Sequence, residues 1–162
     1  MKNILFTISA ILFSLILNAQ DSISLSDFET LNNTEWEGKL TYIDYQSGEP
    51  TSIDTKLQIN IESNKIKYNM QYVYEPNKNN KSSVQIKKGG TFYGNEKVIS
   101  NTIKNETRTI VTSYEGKDNG EKATMYITRE FDETNLTISK KVILKNTGKS
   151  LIRNTYKFTK TN

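Results

Sequence analysis

The side chains in this sequence that can do chemistry are carboxylates, hydroxyls and tyrosines, because the chain has no histidine and no cysteine. That double absence removes Ser-His and Cys-His nucleophile pairs, histidine-ligated zinc or non-haem iron, thiolate metal sites, disulfides and thiol redox chemistry. No metal site and no cofactor is expected. Carboxylate catalysis stays open: Glu35 with Glu37, and Glu130 with Asp132, each put two acids on one face of a strand, about 7 Å apart, a spacing that a glycosidase-type dyad can use. Both pairs border turns, where a solubilising outer face explains them more simply.

Two motif fragments fail on their context. Thr147-Gly148-Lys149-Ser150 ends like a phosphate-binding P-loop, but Ile143 stands at the first required glycine and no helix follows. Asp118-Asn119-Gly120-Glu121 opens like a calcium loop yet lacks the alternating ligands and distal glutamate, so it reads as turn chemistry. No catalytic residue is assigned.

What remains is aromatic. Trp36 and Tyr42 lie on one early segment, and Ile66, Tyr68, Met70, Tyr72 and Tyr74 alternate with Lys65, Lys67, Asn69, Gln71 and Val73 on another. A tyrosine combines an apolar wall with a polar tip, which suits the inside of a small binding barrel. Leu40, Tyr42, Tyr68, Met70, Tyr72 and Tyr74 are therefore the candidate ligand-binding set. The competing expectation is that these side chains simply fill a core.

The elements that must position these residues are strands. Period-two alternation puts Trp36, Gly38, Leu40 and Tyr42 on one face, and Leu57, Ile59 and Ile61 on one face of the next segment. Val84 with Ile86 marks a short strand, Gly89-Gly90 a hairpin turn and residues 91–93 its return. Residues 107–114 are threonine-rich with little contrast between faces, which leaves their register open. Gly116 to Gly120 joins that strand to residues 124–131; Leu136, Ile138, Val142 and Leu144 form the next. The last strand puts Ile152, Asn154, Tyr156 and Phe158 on one face and Leu151, Arg153, Thr155 and Lys157 on the other. Residues 94–106 give no clear boundary. Ahead of all these, Ser26 and Glu29 have capping-box spacing, and a single helical turn through Leu31 offers Phe28 and Leu31 as a plug for one end of the fold.

About nine short strands with no crossover helix exclude parallel pairing. The expected fold is all-β: an antiparallel up-and-down meander closing into a barrel of about 8–10 strands, with a sandwich as the runner-up. Local hairpins favour the barrel, and closure removes exposed edges.

Lys2 followed by an apolar run from Ile4 to Leu17 and then Asn18-Ala19-Gln20 reads as a cleavable signal peptide, residues 1–19, too short for a membrane span. Residues 20–162 are then expected as one domain, exported to the periplasm or beyond, with no membrane span in the mature form. The net charge of +4 is dispersed. Nucleic-acid binding is not expected, since only Lys87-Lys88 and Lys140-Lys141 approach a basic stripe.

A helical turn, a strand opening with Trp36 and a closing strand carrying Arg153 resemble the lipocalin-like, or calycin, barrels. The resemblance implies a tryptophan packed under a cation from the last strand, Arg153 here, sealing the closed end. Thr34 stands where that family has a glycine. A haem-binding subgroup of such barrels uses a histidine on iron, so that activity does not carry over. The leading functional expectation is an exported, non-catalytic barrel that binds a small apolar or amphiphilic molecule. The alternative is an envelope module with a solid core, presenting residues 75–81 and 116–121 to a protein or glycan. A carboxylate-based hydrolase is third.

Overall fold

The computed structural model describes residues 22–162, so the signal peptide expected at residues 1–19, with cleavage after Ala19, lies outside the described residues. The period-two segments pair with their chain neighbours, and the last strand returns to the first. The strands are β1 (Thr34–Ile43), β2 (Pro50–Glu62), β3 (Lys65–Tyr72), β4 (Asn80–Lys87), β5 (Phe92–Tyr93), β6 (Glu96–Lys104), β7 (Thr107–Asp118), β8 (Glu121–Phe131), β9 (Asn135–Leu144) and β10 (Ser150–Lys160). All pairs are antiparallel, and β10 closes on β1 to give a ten-strand barrel. Closure rules out the sandwich.

The first strand shows how side-chain alternation builds the interior. Trp36 is registered with Leu57 on β2, and Leu57 with Met70 on β3, all facing inward. At Gly38 the walls converge: a Cβ there would stand 1.9 Å from the Lys157 carbonyl oxygen, so only glycine lets β1 and β10 pair.

One end is plugged. A 3-10 turn, Leu25–Leu31, buries Phe28 and Leu31 against Trp36, Leu57, Ile59, Ile66, Phe131, Leu136 and Phe158. Phe28 stacks on Tyr93 at 5.5 Å and on Phe131 at 6.0 Å. The cap lies two residues earlier than Ser26 and Glu29 imply: the Asp27 carboxylate accepts the Ser24 N–H at 2.8 Å. Asp27 also pairs with Arg108 of β7 at 3.1 Å, and Asn101 bridges the two, which ties the plug to the wall.

The hairpins explain two further differences from expectation. Asn119 and Gly120 both adopt positive φ, 47° and 84°, the two-residue turn whose twist suits a tight hairpin. The strands therefore run into what reads as a connecting loop, and Asp118 becomes the last residue of β7. On β10 a bulge between Ile152 and Asn154 reverses the expected faces: Ile152 turns out to solvent, whereas Leu151 packs inside on Val142. The register of β7 is settled by its pairing with β8, with Ile110 and Thr112 buried.

The barrel wall is uneven. β5 has two residues and pairs with β4 only through Ile86–Tyr93 and Lys87–Phe92. β6 accompanies β7 no farther than Ser113. Beyond these contacts the outer parts of β4 and β7 have no strand between them, which leaves a notch in the side of the barrel.

Candidate functional site

At the end opposite the plug the interior opens. A pocket of about 370 Å³ is walled by Leu40, Tyr42 and Ile53 from β1 and β2, Tyr72 from β3, Lys140 from β9, and Arg153 and Asn154 from β10. Ile43, Tyr45, Glu75 and Lys78 form its rim. The volume lies near the lower bound for a small-molecule site.

Arg153 is the best-anchored polar group here. Its guanidinium forms a salt bridge with Asp118, with Nε donating to Oδ1 at 3.1 Å, and lies 4.3 Å from the centre of the Tyr45 ring. The Tyr45 hydroxyl completes the group by donating to the same carboxylate at 2.9 Å. Burial alone pushes the Asp118 carboxyl up, but its hydrogen bonds from Arg153 and Tyr45, and the positive charges of Arg153 and Lys140, outweigh burial and hold it below the ordinary value of 3.8. Lys140 has no ion pair among the described residues; its ammonium stands 6.0 Å from the Tyr114 ring.

Beneath the pocket the Tyr72 and Tyr156 hydroxyls share a hydrogen bond of 3.0 Å. Burial, and then the bond to Tyr72, push the Tyr156 hydroxyl up, so it stays protonated. Thr55, registered with Tyr72, faces inward at 1 % exposure, and its Oγ1 is a buried side-chain polar atom without a partner among the described residues. An unpaired buried hydroxyl costs about 1–3 kcal/mol.

Of the six candidate ligand-binding residues, Leu40, Tyr42 and Tyr72 come together at this mouth. Tyr68 and Met70 pack instead against the plugged core. The Tyr68 hydroxyl bonds to Tyr93, and burial first, then the Tyr93 charge, push it far up. Tyr74 lies two residues past the end of β3 and is 75 % exposed, so it faces solvent and not the interior.

The Trp36–Arg153 seal is corrected outright. Trp36 is opposite Lys160 and Asn154 is opposite Tyr42, so about 20 Å of strand separates the tryptophan from Arg153. Trp36 Nε1 donates instead to Thr34 Oγ1 at 2.7 Å, and that hydroxyl donates to the Leu31 carbonyl at 2.6 Å. Thr34 thus supplies the acceptor that a buried indole needs. The arginine at the closed end is Arg108.

Midway down the barrel is a second polar group that pattern reading did not anticipate. Arg129 of β8 donates to Glu96 at 3.0 Å and to Thr112 at 2.9 Å, and its face covers Tyr93 at 4.3 Å. Burial lowers the Arg129 guanidinium, but the surrounding Tyr93, Glu96 and Tyr68 outweigh it and raise the pKa. The proposed acid dyads do not form: Glu35 is bonded to Gln58 and Glu37 to Lys56, while Asp132 accepts the backbone N–H groups of Thr134 and Asn135.

No family model and no curated protein matches this chain. Among solved structures the chain is similar to Rv2717c from M. tuberculosis, with a TM-score of 0.59, 10 % identity, and coverage of 85 % of this chain and 97 % of that one. It also aligns with a protein of unknown function of the DUF3598 family from Nostoc punctiforme, with a TM-score of 0.36, 10 % identity, and coverage of 89 % and 51 %. At these identities only the fold of the first is informative, and it agrees with a closed antiparallel barrel.

Proposed function

We propose that this protein is an exported, non-catalytic calycin-type barrel that takes a small amphiphilic molecule into its open mouth. The observation that carries the reading is the mouth pocket: apolar and aromatic walls come from Leu40, Tyr42, Ile53 and Tyr72, with Lys140 and Arg153 at one side. Apolar walls supply most of the binding free energy, at about 25 cal/mol per Å² removed from water. The few polar groups orient what enters.

Native mass spectrometry of protein purified from cells that make it tests this reading. The expected result is a discrete added mass that disappears on denaturation. Repeated preparations without any added mass, and without uptake of an apolar dye, contradict it.

A further inference from the structure

The side notch leads to the buried Arg129 group, and we infer that this lateral cleft is a second binding site, for a neutral saccharide residue. It shares no lining residue with the mouth, its Tyr114 ring stands 6.0 Å from the Lys140 ammonium of the mouth, and its cavity of about 760 Å³ is the larger of the two.

The cleft wraps the lip of the wall. Ser83, Phe92, Lys97, Ser113 and Glu115 come from its outer side, Gly94 and Asn95 form the lip, and Glu96, Tyr114 and Arg129 stand within. The notch exists because β5 and the start of β6 are too short to cover it.

Its chemistry narrows the ligand. Both the Arg129 and Thr112 bonds to Glu96 use Oε2, and Oε1 takes no hydrogen bond among the described residues. It is not among the buried polar atoms left without a partner, so it opens onto the cleft. Asn95 accepts from Lys87 through Oδ1 at 3.4 Å, and its Nδ2 is unused among the described residues. The guanidinium donates through Nη1 and Nη2 to protein and has further N–H groups. Together with the Ser83 and Ser113 hydroxyls, the cleft offers donors and acceptors side by side.

Two ligand classes are disfavoured on this lining. An anion would sit beside the Glu96 carboxylate; Arg129 is already paired with that group, and Lys97, the other cation of the lining, is exposed on the outer side, where water and salt screen it. An apolar body would strip water from Glu96, Asn95 and the serines without replacing their hydrogen bonds. A neutral polyol does neither, because each hydroxyl both donates and accepts. The half-buried Tyr114 ring offers a face for the C–H surface of a sugar ring.

The test is 15N-resolved NMR of the full-length mature protein titrated with glucose, galactose, mannose and N-acetylglucosamine, with acetate and inorganic phosphate as charged controls. The expected result is saturable shifts at Gly94, Asn95 and Ser113 for at least one sugar, with none from the anions. Asn95→Ala, at an exposed turn, is expected to weaken that binding about tenfold. Glu96→Gln is expected to do the same, with circular dichroism confirming that it still folds. Uptake of apolar dye at the mouth should be unchanged in Asn95→Ala, which separates this site from the proposed mouth ligand. No shift with any sugar, shifts confined to the mouth, or stronger shifts with acetate or phosphate overturn the proposal.

Discussion

The two ends of this barrel are built from the same strands and have opposite interiors. β1 carries Trp36 at the plugged end and Tyr42 at the open one; β3 carries Ile66 and Tyr72; β10 carries Phe158 and Arg153. At the plugged end each apolar side chain meets others, and the polar groups of Trp36, Thr34, Asp27, Asn101 and Arg108 are bonded within the protein. At the open end a lysine has no ion pair among the described residues and a buried threonine hydroxyl has no partner. Stability is therefore concentrated where the helical turn docks, and binding capacity where the packing is incomplete. A perturbation at one end should leave the other's property largely intact.

The largest expected break is Phe28→Ala. Phe28 is fully buried and stacks on two rings, so its loss should cost about 3–5 kcal/mol. A urea titration followed by Trp36 fluorescence should show a lower midpoint, while dye binding at the mouth persists wherever the variant is folded.

Asp118→Ala should come next, at about 2–3 kcal/mol, because it strands the Arg153 guanidinium in a mostly buried place. Replacing both residues by apolar ones should recover most of that loss. The same pair sets an acid dependence. The folded-state carboxyl titrates below its ordinary value of 3.8, so its stabilisation is fully present above that pH and is lost as pH falls through the lower folded-state value. Acid melts of the wild type and Asp118→Ala should draw together as pH falls below 3.8 and converge once it is below the lowered folded-state value, and they should not converge at neutral pH.

Thr55→Val sharpens the comparison in the opposite direction. Removing an unpaired buried hydroxyl should stabilise the empty barrel by about 1 kcal/mol. Dye binding at the mouth should persist, because Thr55 is not among the residues that line that pocket. The smallest effect belongs to Tyr74→Ala, expected within about 0.5 kcal/mol and without influence on binding, since that ring faces solvent.

Period-two alternation made the architecture legible: the strand segments, local hairpins and helical plug follow from which residues alternate, and barrel closure follows from their connectivity. The polar interior was not legible for the same reason. Glu96, Thr112, Asp118 and Arg129 occupy inward positions, but by type they read as surface, and only their mutual pairing makes burial tolerable. One local signal does point to Asp118: Asn119-Gly120 is a strong two-residue hairpin sequence, and it extends β7 through Asp118 in phase with Thr112 and Tyr114. The β10 bulge leaves no such sign. It shifts the faces by one residue, and that shift takes Ile152 out of the interior. The pairing of Trp36 with Arg153 failed because both ends of β10 carry a cation near an aromatic residue, and strand register alone decides which meets which.

The most direct test of the division between the two ends is an NMR titration of the isotope-labelled protein with 1-anilinonaphthalene-8-sulfonate, an amphiphilic dye. Saturable shifts are expected at Leu40, Ile53, Tyr72 and Asn154, abolished by Ile53→Trp, with Phe28, Leu57 and Phe131 unmoved. Shifts centred on those plugged-end residues, or no saturable binding at the mouth, would contradict that division.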